Sequence, residues 1–257
     1  MKNKLWMLAV VLAALLTTAC SGQPASDASV SNADPGETAA EGADSNEEEP
    51  NSEEGGVLIA YFTRFDNTDA ELDEIIRGGG PYGELGNSMD DADLDAVSSA
   101  SITIYDGQVQ GNTQTIARMI QEQTGGDLFS IRTEEKYPAD YDELIDIGGE
   151  EEAEDIRPEL ISHVENMEDY EIVFLGFPNW WSDMPMAVYS FLEEYDFTGK
   201  TVIPFAVTAG SGFSDTISKI SDLLPEADVV EDGLHIPMEE TADAQSQVEE
   251  WLAGLGF

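Results

Sequence analysis

The sequence predicts an α/β sandwich built on a parallel sheet, and three observations carry this. Short continuous apolar runs recur at Val57–Phe62, Glu171–Phe177 and Thr201–Val207, as in strands buried on both faces. Segments with apolar residues at helical spacing lie between and after them. The two patterns alternate, and parallel strands need helical crossovers, which are right-handed. Apolar types make up 41% of the 257 residues, enough for a globular core of one or two domains.

The chain opens on an address. Lys2 and Lys4 precede twelve apolar residues, Leu5–Leu16. Such a stretch rises only ~18 Å as a helix, too short to span a bilayer unaided. It reads as a signal peptide, residues 1–19. Leu16-Thr17-Thr18-Ala19-Cys20 resembles a bacterial lipobox. That resemblance implies cleavage before Cys20, diacylglycerol on its sulfur, and an extracytoplasmic protein lipid-anchored to a bacterial membrane. Residues 20–56 then form an acidic linker. Ser21–Gly56 holds ten acids, no Lys or Arg and no aromatic, so burial cannot offset its ordering entropy and a disordered tether is expected. As a flexible coil it reaches ~30–36 Å.

A domain over 57–257 follows. Leu128–Ile131 and Val229–Leu234 are weaker strand candidates nearer the sheet edges. Helical spacing is met at Ile116, Met119 and Ile120; at Leu160, Ile161, Val164 and Met167; at Val188, Phe191, Leu192 and Tyr195; at Ile217, Ile220 and Leu224, with Ser214 as N-cap; and at Val248, Trp251, Leu252 and Leu255. Glu150–Asp155 reads as a solvated linker. No helix follows the first strand. An acidic insertion at about 64–110 intervenes instead, with a turn signal at Gly78-Gly79-Gly80-Pro81 and an apolar stretch at Ile102–Tyr105.

In open sheets of this class, ligands bind beyond the carboxyl ends of the strands. Three loops there carry the chemistry. After the first strand come Thr63 and Arg64, and the insertion closes on Gly111-Asn112-Thr113 at a helix start, a ready phosphate site. After the third strand come Pro178, Asn179, Trp180 and Trp181. Adjacent tryptophans point in different directions. One is expected to pack under the next helix and the other to stack on a flat ligand; the sequence leaves open which. After the fourth come Thr208, Ala209, Gly210, Ser211 and Gly212, whose glycines let backbone approach a ligand. Asp215 stands where a dinucleotide fingerprint needs its third glycine.

These segments, with Lys136–Tyr141, resemble the flavodoxin family, and within it the flavodoxin-like lipoproteins. The resemblance covers nearly all of 57–257 and implies a flavodoxin-like three-layer sandwich, its five-stranded parallel sheet in the order 2-1-3-4-5, with FMN at the switch point. It assigns Thr63, Arg64, Gly111, Asn112 and Thr113 to the phosphate loop. Pro178, Asn179, Trp180 and Trp181 fall beside the isoalloxazine, and Thr208, Ala209, Gly210 and Gly212 in the second flavin loop. The insertion departs from the family pattern. Carboxylates around the ring are expected to disfavour the anionic reduced flavin.

Composition narrows the rest. With 54 acids against 10 bases the formal charge is −44, which excludes nucleic acid as a partner and lets the membrane be met only through the lipid anchor. A single cysteine excludes an internal disulfide and a four-cysteine zinc site. Asp90–Asp95 fails the EF-hand test because Ala96 and Ile102 occupy positions six and twelve. Gly199-Lys200-Thr201 fails the P-loop test because Glu194 occupies the first glycine. His163 and His235 read as surface or partly buried histidines. The sequence therefore points to an anchored FMN electron-transfer protein or quinone-reductase-like oxidoreductase, whose partner is a small acceptor or a redox protein, basic if a protein. The alternative is a non-redox module of the same fold that binds a partner or solute through its acidic surface.

Overall fold

Alternate residues of a strand face opposite ways, so each apolar run needs cover on both sides of the sheet. A computed structural model, describing residues 55–68, 102–138 and 141–257, shows what supplies it. The signal peptide, Cys20, the tether, the Gly78–Pro81 turn and the acidic stretch at 90–95 lie outside the described residues. The strands are β1 (Gly56–Tyr61), β2 (Ile102–Tyr105), β3 (Gln108–Gly111), β4 (Asp127–Ser130), β5 (Tyr170–Pro178), β6 (Thr201–Thr208), β7 (Asp228–Val229) and β8 (Leu234–Pro237). The helices are α1 (Asn112–Thr124), α2 (Tyr141–Glu154), α3 (Met186–Glu194), α4 (Thr216–Leu223) and α5 (Gln245–Leu255).

The main sheet runs β4-β1-β5-β6, with β7 and β8 both on the outer side of β6, and every pairing is parallel. This is the order 2-1-3-4-5 with its fifth strand broken in two. β7 pairs Thr201 and Val202, and β8 pairs Phe205 to Thr208. Pro204 sits in the gap between them, where a residue without an N–H interrupts the ladder anyway. On one face Ile59, Tyr61, Phe174, Ile203 and Phe205 pack with Ile116, Met119 and Ile120 of α1 and Val248 and Leu252 of α5. On the other, Leu58, Ala60, Phe62, Val173 and Phe177 pack with Leu144 of α2, Val188 and Phe191 of α3 and Ile220 of α4. Each large apolar side chain buried this way contributes ~1.5–3 kcal/mol.

Three expectations are corrected. Leu160–Met167 is not a helix. Pro158 has no N–H, and the neighbouring backbone is committed to the segment after β4: Glu134 N–H donates to Glu159 O, and Ile161 N–H to Arg132 O, each at 2.8 Å. Only Met167–Asp169 forms a 3-10 turn, behind Asn166 at φ 55°. The crossover helix before β5 is α2, which takes in Glu150–Glu154 of the run expected as a linker. Ser214 sits at φ 53°, and Asp215 is the N-cap of α4. Beyond β1 a 3-10 turn at Arg64–Asn67 opens the insertion. Buried Asn67 pins it there: its amide donates to Thr63 O and Ile131 O, and its Oδ1 accepts from Thr133 N–H. The insertion ends in the β2–β3 hairpin, whose Asp106-Gly107 turn has both residues at positive φ. Tyr105 ties it to α5 by donating its hydroxyl to Gln245 Oε1 at 3.2 Å.

Candidate functional site

The end of β1 meets the start of α1. Thr63, Asn112 and Thr113 are each about 2% exposed there. Gly111 precedes the helix at φ −65°, which any residue adopts, so its requirement is steric: a Cβ would lie 2.0 Å from Thr63 Oγ1. The Gln114 side chain accepts from Gly111 N–H at 3.3 Å, and Thr115 Oγ1 donates to Gly111 O at 3.1 Å, which fixes the first turn. A helix start carries unsatisfied N–H groups and the positive end of the helix dipole. Arg64, also buried, lies beside it with its guanidinium donating to Pro138 O.

Pro178 leads from β5 into a tight turn. Trp180 N–H donates to Asp183 O at 2.7 Å and Asp183 N–H to Trp180 O at 2.8 Å. The two residues between, Trp181 and Ser182, have φ of 53° and 67°. An aromatic residue in the left-handed region costs energy that its surroundings must offset. The turn is held from below by Asp183, a buried carboxylate that accepts from Met184 N–H, Tyr189 OH and Lys219 Nζ, the last at 2.7 Å. Burial, and after it the Asp183 carboxylate, pushes the Tyr189 hydroxyl up.

The turn separates the two tryptophans. Trp180 is half-buried, edge-on to Phe62 at 5.4 Å and to Tyr137 at 5.2 Å. Trp181 is 56% exposed. Above them α2 carries Gly148 and Gly149, where glycine is ordinarily worth ~1 kcal/mol less than alanine. The Trp181 indole bears on Gly149, where a Cβ would lie 3.2 Å from it, while a Cβ on Gly148 would meet the tryptophans at an ordinary 3.7 Å. One turn further, Glu151 Oε2 accepts the Tyr137 hydroxyl at 3.0 Å. Burial raises the Glu151 carboxyl to about 7, although the Tyr137 hydrogen bond pulls it the other way.

The third loop leaves β6 through Thr208. Its Oγ1 accepts from Gly210 N–H at 3.1 Å and Gly212 N–H at 3.3 Å, and lies 2.8 Å from His235 Nε2. Asn179 Nδ2 donates to Gly212 O at 3.0 Å, which joins the second loop to the third.

The three loops and α2 enclose a cavity of about 380 Å³, within the range of small-molecule sites. Ten of the sequence-derived residues line it: Thr63, Arg64, Asn112, Thr113, Pro178, Asn179, Trp180, Trp181, Thr208 and Ala209. Gly111, Gly210 and Gly212 do not line it and instead shape the loops that do. Leu144, Ile145 and Gly148 of α2 and Val207 were missed. The signal for the helical three was present but quiet: an apolar pair one turn before a double glycine. Among the described residues Arg64 is the only charged side chain on the lining, and the acids of the insertion, from Asp69 to Asp95, lie outside the described residues.

The family model for flavodoxin matches residues 102–255. The chain belongs to the flavodoxin family. Among curated flavodoxins, Flavodoxin 1 of Salmonella typhimurium is 29% identical over 133 residues, 47% of this chain and 59% of that protein. The match thus spans under two thirds of the curated flavodoxin. Two solved structures from Bacteroides species, both provisionally classed as flavoproteins, share the fold. The B. eggerthii protein is 21% identical with a TM-score of 0.54, covering 79% of this chain and 99% of its own. The B. uniformis protein is 22% identical with a TM-score of 0.53, covering 77% and 98%.

Proposed function

We propose that this flavodoxin binds FMN in the cavity between its three loops and α2 and serves as an electron-transfer protein. One observation carries the reading: a single cavity has cationic and hydroxyl donors at a helix start on one side and an apolar, aromatic slot on the other. The donor set suits a phosphate. Thr63, Arg64, Asn112, Thr113 and the first turn of α1 would hold it, with the absent side chain of Gly111 leaving Thr63 its place. Trp180, Trp181, Leu144, Ile145 and Val207 would hold the ring, and the backbone of Asn179–Trp181 and Thr208–Ala209 its polar edges. Bound FMN supplies one- and two-electron redox chemistry that no side chain here offers.

The chain's own contribution is electrostatic and steric. The α2 wall keeps water from the slot, and Arg64 supplies the one formal charge on the lining among the described residues. Trp181, half out of the surface on a strained turn, leaves an exposed edge through which an acceptor approaches. The formal charge of −44 favours a basic protein as redox partner, with docking that weakens as salt rises. A lipidated Cys20 and an acidic tether would hold the domain outside the cytoplasm within ~30–36 Å of a bacterial membrane. The purified protein should be yellow or take up one FMN, and anaerobic reductive titration should then bleach it reversibly. A folded, colourless protein that ignores added FMN ends the proposal.

A further inference from the structure

We infer that His235 is a positioning residue, which sets the third loop through Thr208 and makes that loop sensitive to pH. The geometry stands apart from any ligand; its consequence for affinity rests on the FMN reading above. A threonine hydroxyl has two lone pairs and one proton. Thr208 Oγ1 spends both lone pairs on Gly210 N–H and Gly212 N–H, at 3.1 and 3.3 Å. Its proton is left for the third neighbour, His235 Nε2 at 2.8 Å, which must accept. His235 is therefore the neutral Nδ1–H tautomer.

Protonating the imidazole turns Nε2 into a donor. Three N–H groups then compete for two lone pairs, and the Thr208 proton loses its acceptor. The longest bond, to Gly212, gives way first. Gly212 O is also the acceptor for Asn179 Nδ2 at 3.0 Å, so the disturbance passes into the tryptophan turn. Thr208 makes the one hydrogen bond to the ring among the described residues, and Gln247 of α5 donates to the His235 carbonyl at 3.5 Å. The formally charged groups on the neighbouring segments are carboxylates, apart from Lys219 of α4, which is held by Asp183 and Asp215. The carboxylates are Glu231 and Asp232 before β8, Glu239, Glu240 and Asp243 after it, and Glu249 and Glu250 on α5. None competes as a donor for Thr208.

The test uses the full chain without added flavin, then with it. Long-range ¹H–¹⁵N spectra at about pH 8 should show His235 protonated at Nδ1. The Gly212 amide should shift as pH is lowered from about 8 to about 5 in the wild type. It should stay flat in His235→Gln, whose side-chain carbonyl accepts from Thr208 without titrating, and in Thr208→Val, which removes the relay. FMN affinity of the wild type relative to His235→Gln should fall about three- to tenfold over the same span, the weight of one neutral hydrogen bond. The ratio cancels the titrations of the FMN phosphate and of Glu151. An Nε2–H tautomer, a Gly212 amide that titrates equally in His235→Gln, or FMN binding with a pH-independent ratio each overturns the role of His235. Amides that behave as expected in a protein that takes no FMN support that role and remove the flavin reading instead.

Discussion

Glu151→Gln is expected to stabilise the protein at pH 8 and to change little near pH 4.5. Burial of this α2 side chain raises the Glu151 carboxyl from its ordinary 4.5 to about 7. The folded state therefore holds this proton more tightly than the unfolded chain does. Its contribution is fully present below the unfolded value near 4.5 and is lost as pH rises through about 7. At 1.36 kcal/mol per pH unit the ceiling is about 3 kcal/mol, and partial exposure brings this to roughly 1–2 kcal/mol. Glutamine carries no charge to desolvate, and its carbonyl still accepts the Tyr137 hydroxyl. Urea denaturation of both proteins at steps from pH 4.5 to 8 isolates the effect, because every other carboxylate is common to the pair. The gap between the two should open across that window, with glutamine the more stable above it. A gap that is constant with pH, or that favours glutamate at pH 8, refutes the reasoning.

Other perturbations separate the corners of the cavity. Gly111→Ala drives a methyl to 2.0 Å from Thr63 Oγ1, which should cost ~1–3 kcal/mol in a thermal melt and weaken FMN far more than riboflavin, which lacks the phosphate. Equal losses for the two flavins would count against a phosphate at this corner. Asn112→Asp should leave the melting temperature unchanged or raised, since an acid suits a helix start, while FMN affinity drops at low salt. Trp180→Ala removes the edge contacts to Phe62 and Tyr137 and should cost ~2–4 kcal/mol, whereas Trp181→Ala should alter stability by less than ~0.5 kcal/mol yet weaken flavin binding. Similar melts for the two variants would contradict the division of labour between the tryptophans.

The sheet was legible because burial on both faces leaves an unbroken apolar run, and β1, β5 and β6 each contain one. The edge was less so. The last strand is short, split and paired on one side, so nothing in Val229–Leu234 required its break at Pro204. Helix α2 escaped because the apolar stripe that packs Leu144 and Ile147 on the sheet is short and is cut by the two glycines facing the tryptophans. Gly148 and Gly149 stand where amphipathic spacing asks for bulk, and acids crowd its C-terminal half. Leu160–Met167 misled for the converse reason: four apolar residues fell at helical spacing in a segment whose backbone bonds to the residues that follow β4. At the site, residue types and order gave the three loops. The choice between Trp180 and Trp181 did not follow from order, because it is set by two positive φ angles in the turn that holds them.

The account stands on one ligand in one cavity. Titration of the isotope-labelled protein with FMN, followed residue by residue through its backbone amides, tests this most directly. The account requires saturable shifts at one equivalent, concentrated at Thr63–Arg64, Gly111–Thr113, Asn179–Trp181, Thr208–Gly212 and the Leu144–Gly149 turn of α2. A spectrum unmoved by FMN, or shifts gathered on another face of the sheet, would contradict it.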